Sequence, residues 1–218
     1  MRRTHNRPLP RGEIVPSRAL IFGIVLNVIA FCVLAIAANV LAAALTMTAT
    51  LFYVFVYTLW LKPRTVQNIV IGGAAGAVPV LVGWAAVRND LAAPAWILFA
   101  VVFFWTPAHF WALALKYRED YAAAGIPMLP VVRGVEATAR QIAGYAMLTA
   151  AATLALTLTG TVGNLYAVAA LVLGAVFVTR AFALMRDASP PRAIRFFGWS
   201  NVYLMLVFVA VAVDTLVH

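Results

Sequence analysis

The sequence predicts an all-α fold, a polytopic transmembrane helical bundle with seven spans, and three observations carry that prediction. Of its residues 65% are hydrophobic and only 11% charged, whereas a soluble domain is about half apolar and a quarter charged. The apolar residues gather in runs of about 20, the length that crosses the hydrocarbon core as a helix. The 16 Lys and Arg stand almost entirely between those runs, and on alternate connections.

Taken in order, the spans are expected at Ser17–Ala38, Leu41–Leu61, Val66–Val87, Pro94–Leu115, Thr138–Leu158, Leu165–Met185 and Phe197–Val217. Arg2, Arg3, Arg7 and Arg11 precede the first run, which is longer than the roughly 7–15 residues of a signal-peptide core. An uncleaved first span is expected. Pro63 ends the second span, and Thr65 is the expected N-cap of the third. In that third span Gly72, Gly76, Pro79 and Gly83 fall on one face, with Gly73 beside them. Close helix packing is the favoured reading of that strip, and a substrate groove along a smooth helix the alternative. Cys32, the single cysteine, lies in an apolar run and excludes disulfides and cysteine metal clusters; it reads as a small packed hydrophobe.

A net charge of +9 invites a nucleic-acid reading, which the distribution of charge excludes. Arg2, Arg3, Arg7, Arg11 and Arg18 mark the N-terminal segment. Lys62 and Arg64 follow the second span, and Lys116, Arg118, Arg133 and Arg140 follow the fourth. Arg180, Arg186, Arg192 and Arg195 surround the connection after the sixth, whereas the alternate connections carry only Arg88. By the positive-inside rule the N-terminus and basic loops are cytoplasmic and the C-terminus lies opposite. The expected organisation is one integral-membrane domain over 1–218, with a cytoplasmic basic segment at 1–16 and a cytoplasmic loop at 116–137.

Three segments of that side hold more polar chemistry than topology demands. "RRTHNRPLPRGE" (Arg2 to Glu13) reads foremost as a basic arm for anionic lipid headgroups. In "LKPRTVQN" (Leu61 to Asn68), Arg64 and Asn68 are four residues apart; on one face beside a helix N-terminus they would suit an anion. In "WTPAHFWALALKYREDY" (Trp105 to Tyr121), a helix continued past Leu115 would align His109, Leu113, Lys116 and Asp120. Glu119 and Asp120 offer hard oxygen ligands for Mg²⁺ shared with phosphate oxygens, and Lys116 and Arg118 can hold the remaining anionic charge. His109 is an intramembrane ionisable group and so a candidate for function, with a hydrogen bond to a neighbouring helix as the structural alternative. A polar cap over an apolar cavity fits an amphiphile with a diphosphate head and a lipid tail.

Four segments, "RRTHNRPLPRG", "YTLWLKPRTVQNIVIGGAAGAVPVLVGW", "WTPAHFWALALKYREDYAAAGIPMLPVV" and "ARQI", together resemble the protohaem IX farnesyltransferases (haem O synthases) of the UbiA-type intramembrane prenyltransferase superfamily. Ala108 departs from the family's usual second proline. The resemblance implies transfer of a farnesyl group from farnesyl diphosphate to a vinyl group of protohaem IX (haem B), giving haem O and diphosphate. It implies Mg²⁺, held at Glu119 and Asp120 as the second acidic motif. Lys62, Arg64, Lys116, Arg118, Arg3 and Arg7 become diphosphate ligands, Asn68 orients the head group, and His109 contacts haem or its iron. Haem B enters as substrate rather than cofactor. The implied setting is the bacterial inner membrane and its lipid bilayer, with haem A synthase or terminal oxidase assembly proteins as partners and no nucleic acid.

The family also resembles a nine-helix bundle with a first Asn-x-x-x-Asp-x-x-x-Asp motif just before "RT.NRPLP", where this sequence has Met1. The corresponding expectation is a chain lacking two helices, half of the metal site and much of the activity. The alternatives are a UbiA-type enzyme acting on a quinone or other aromatic acceptor, a transporter, or a non-catalytic haem-handling membrane protein.

Overall fold

The computed structural model describes residues 5–217. Seven helices among them are long and apolar enough to cross a membrane, and no strand occurs among the described residues. The first span is α1 (Pro16–Ala37); the second begins as α2 (Val40–Leu51) and continues as a π-helix over Phe52–Leu61. Then come α3 (Asn68–Arg88) and α4 (Ala93–Lys116), two short helices α5 (Arg118–Ala123) and α6 (Leu129–Val132), and α7 (Gly134–Ala155), which tightens into a 3₁₀ turn over Leu156–Thr159. The last spans are α8 (Asn164–Arg186) and α9 (Pro190–Val217).

The connections explain the local turns. Asn39 caps α2 by accepting from the Ala42 N–H (2.9 Å), and its amide donates to the Ala85 carbonyl (2.6 Å), fixing the α1–α2 turn to the far end of α3. Asn89 closes α3 in the left-handed region (φ 52°), where asparagine is among the few side chains readily tolerated. In the π-helical stretch the Lys62 N–H reaches back five residues to the Tyr57 carbonyl (2.8 Å), a wider winding than an α-helix and one often found at functional sites.

Two expected boundaries move. The fifth span starts at Gly134 and the seventh at Pro190, before the expected Thr138 and Phe197. Proline is pre-set for the first helical turn, and at 28 residues α9 is about 42 Å long, so Arg192 and Arg195 ride on a helix that outruns the hydrocarbon. Composition had placed those arginines in a loop.

Helix α4 is the hub, packing against α3, α7 and α9, while α8 closes the far side against α7 and α9. The largest fully buried side chains, Tyr166, Tyr203 and Phe177, lie in that α7–α9 region. Their polar atoms are paired: Tyr166 Oη donates to the Thr153 carbonyl (2.8 Å), and Tyr203 Oη meets Thr153 Oγ1 (2.7 Å). At the end opposite the basic loops, the buried carboxylate of Asp214 accepts from the N–H groups of Gly163 and Tyr166 (2.9 Å to the latter). It thereby caps the N-terminus of α8 from α9. Helix α1 has no buried residue, so Cys32 is exposed rather than packed as the sequence suggested.

Candidate functional site

Between the second span, α3 and α4 lies a groove of about 620 Å³. Thr46, Thr50, Tyr53 and Tyr57 form one wall, Gly72, Gly73, Gly76, Pro79 and Val82 of α3 another, and Thr106 and Phe110 of α4 the floor. Glycine creates it. A methyl group on Gly72 would overlap the Tyr57 ring, and one on Gly73 would crowd Thr106 Cγ2 at 3.2 Å, whereas Gly76 and Gly83 face open space. The favoured reading of close packing therefore holds only at the basic end of the strip; at Gly76 and Pro79 the smooth face opens into the groove, which is the alternative the sequence left open.

At the basic end of this groove stands Tyr57, its ring against Gly72. Its ring has Lys62 Nζ 6.0 Å from its centroid, and it is within electrostatic reach of Tyr121. Tyr121 follows Glu119 and Asp120 on α5, so the structure brings Lys62 and the acidic pair to the same end. Glu119 is exposed and Asp120 half-buried, both in the first turn of α5, where the helix dipole favours carboxylates. Lys116 and Arg118 are exposed beside them.

Other expected groupings fail. Helix α4 stops at Lys116 and Tyr117 takes φ −102°, ψ 24°, so Asp120 belongs to a separate helix and does not continue the His109 face. Arg64 turns back to donate to the carbonyls of Leu59 (3.2 Å) and Trp60 (3.3 Å), while Asn68 is fully buried and donates to the Thr65 carbonyl (2.6 Å). They share no face. The open carbonyls at the end of a π-helix attract the guanidinium more strongly than helical spacing can align it. Gln67, not Thr65, occupies the N-cap position of α3, and Thr65 Oγ1 accepts from its N–H at 3.2 Å. Asn68 Oδ1 is buried and unpartnered. Arg7 is exposed on the N-terminal segment; Arg3 lies outside the described residues.

His109 is held from α9. Its ring stacks between Trp105 (4.2 Å) and Phe197 (4.3 Å), and Nδ1 is 2.7 Å from Ser200 Oγ. Because that hydroxyl donates to the Phe197 carbonyl (2.6 Å), it can only accept from His109, which places the ring proton on Nδ1 and the lone pair on Nε2. The bond to a neighbouring helix is thus present, and it orients the ring.

The fit to a divalent metal rests on the donor set. Among the described residues no group of three His, Cys, Asp or Glu side chains converges. Glu119 and Asp120 supply two hard oxygens, enough for an ion that takes its remaining ligands from phosphate oxygens and water.

The chain as a whole is similar to known proteins. Residues 1–209 match the model of the UbiA prenyltransferase family. The chain is 52% identical to the protoheme IX farnesyltransferase of Gloeobacter violaceus, covering 99% of this chain and 71% of that one. It is 50% identical to the enzyme of the same name from Nostoc sp. (99% and 69% covered), and 51% identical to that from Symbiobacterium thermophilum (98% and 72%). A solved digeranylgeranylglyceryl phosphate synthase superimposes with a TM-score of 0.78 at 16% identity, over 99% of this chain and 76% of that one, and shares the fold. The chain belongs to the UbiA prenyltransferase family and is an integral membrane protein. Prenyltransferases of this family generally depend on a divalent metal.

The sequence gives no signal for Tyr53 and Tyr57, which stand within an apolar span, or for Asp214, which stands near the C-terminus far from any motif.

Proposed function

We propose that this chain transfers the farnesyl group of farnesyl diphosphate to a vinyl carbon of haem B, forming haem O and releasing diphosphate. One observation carries the reading: identity of about half, over nearly the whole chain, to relatives named protoheme IX farnesyltransferase. The groove supports it, being apolar-walled, of the size that takes a ligand of this class, and lined at one end by Tyr57, whose ring has Lys62 Nζ 6.0 Å from its centroid.

In this reading the farnesyl tail lies along Gly76 and Pro79 under Tyr57, and the diphosphate meets Lys62, Lys116 and Arg118 at the basic end. Arg7 and Arg3 add charge from the N-terminal segment. Arg64 acts from the loop by electrostatics rather than by sharing the α3 face. Mg²⁺, bound through Glu119 and Asp120, would neutralise the charge that develops on the leaving group. The lysines and arginines hold that charge in place as the allylic C–O bond breaks. The groove walls keep bulk water from the allylic cation until the vinyl carbon attacks; the cation this leaves on the vinyl carbon next to the ring then takes one water, which loses a proton to solvent, and the hydroxyethylfarnesyl arm of haem O results. Asn68, enclosed at the start of α3, positions the neighbouring loop rather than touching the head group directly. His109 presents Nε2 to haem or its iron. One membrane domain spans 1–218, with 1–16 and 116–137 on the cytoplasmic side of a bacterial inner membrane and the C-terminus opposite.

The test is direct. Membranes holding the protein are incubated with farnesyl diphosphate, haem B and Mg²⁺, and haem O is sought by chromatography and mass. Haem O is the expected product. Prenylation of an aromatic quinone precursor instead would move the acceptor, and haem retention with no transfer to any acceptor would remove the transferase reading.

A further inference from the structure

A second, smaller cavity of about 170 Å³ opens at the basic end between α4 and α7, walled in part by Gln67, Trp111, Leu129, Arg133, Gln141 and Tyr145. Its lining includes an unanswered donor: Trp111 is 2% exposed and its Nε1–H has no hydrogen-bond partner. The Tyr145 ring meets the indole edge-on at 5.5 Å, which fixes the indole plane. Arg133, Gln67 and Gln141 are exposed around the rim. The salt bridges among the described residues join Arg11 to Glu13 and Arg192 to Asp187, so Arg133 has no carboxylate partner there.

The donor inventory is one-sided. Residues carrying a guanidinium, an indole N–H, two amide NH₂ groups and a phenol line the cavity, and no Asp or Glu does. Such a set complements an oxyanion. The space admits a single carboxylate or phosphate group but neither a porphyrin nor a prenyl chain. Gln141 belongs to the "ARQI" segment, for which the farnesyl-diphosphate chemistry has no use.

We propose that this cavity is an oxyanion subsite, chemically fit for a carboxylate or phosphate, and that in the working enzyme it takes a carboxylate arm of the porphyrin acceptor. This rests on haem B as acceptor. A flat apolar macrocycle in the bilayer keeps its two carboxylates at the polar end, and this cavity is a polar opening there that the diphosphate does not claim.

The experiment uses the purified full chain in detergent and follows binding of haem B and of its dimethyl ester by absorbance. Wild type is expected to prefer the free acid by roughly tenfold. Arg133→Gln and Trp111→Phe should each erase most of that preference by weakening the acid alone, with Arg133→Lys restoring part of it and farnesyl diphosphate affinity unchanged. Equal binding of acid and ester by wild type overturns the proposal. So does a preference that survives both substitutions. Loss of inorganic phosphate binding in Arg133→Gln, with the acid-over-ester preference intact, would give the site to free phosphate and overturn the carboxylate assignment. If neither porphyrin binds, the acceptor reading itself has failed, which is a different result from acid and ester binding alike.

Discussion

On one side of α4, helices α7, α8 and α9 close around Tyr166, Phe177 and Tyr203; on the other, α3 and the second span leave about 620 Å³ open. Both sides are built from apolar sequence, but they use polar and small residues differently. In the closed region large side chains fill the space and their hydroxyls tie helices together, Tyr203 Oη to the Thr153 hydroxyl and Tyr166 Oη to the Thr153 carbonyl. In the open region small residues stand where side chains would fill space, and the result is a groove. The lesson is that space rather than polarity distinguishes the working side of this membrane bundle.

The comparison yields substitutions that break one side and spare the other. The largest expected effect is on the open side. Chelating the divalent metal should abolish haem O formation, with Mg²⁺ restoring it in a product assay. Asp120→Asn, at the same end, is expected to cut turnover by about 100-fold or more with the protein still inserted and folded, as judged by its melting temperature in detergent. Next comes the closed side. Asp214→Ala leaves the N–H groups of Gly163 and Tyr166 unanswered and should cost roughly 2–3 kcal/mol in unfolding measurements, without altering KM in the enzyme that remains folded. Gly76→Leu should raise KM for farnesyl diphosphate about tenfold at unchanged stability, because Gly76 lines the groove and a Cβ there meets nothing within 4 Å. A stability loss from Gly76→Leu that matched the Asp214→Ala loss would end the contrast. The smallest effect is Tyr203→Phe, about 0.6 kcal/mol, the usual worth of one interhelical hydrogen bond in a membrane protein.

The span order was legible because hydropathy and the alternation of basic loops are averaged over many residues, and averages survive local error. What escaped reading depends on single bonds. Nothing in the run from His109 to Asp120 announces that Tyr117 leaves the α-helix, so the expected shared face dissolved there. Arg64 and Asn68 have ideal helical spacing, yet the carbonyls of Leu59 and Trp60 drew the guanidinium away. The acidic pair and Lys62 stand out in the sequence by their chemistry. That Lys62 comes to the Tyr57 ring at the groove does not, since it depends on a π-helical winding that no local pattern marks. Gly76 was visible as a smooth face, but only its neighbours decide whether such a face packs or opens.

The cap that Asp214 places on α8 has a consequence for assembly. The donors it satisfies, Gly163 and Tyr166, are made some fifty residues earlier in synthesis than the carboxylate that answers them. Until α9 is in place, the start of α8 lacks its carboxylate cap and leaves those two N–H groups to water. The final span therefore works as a latch on α8, and a chain cut before residue 214 would lack it.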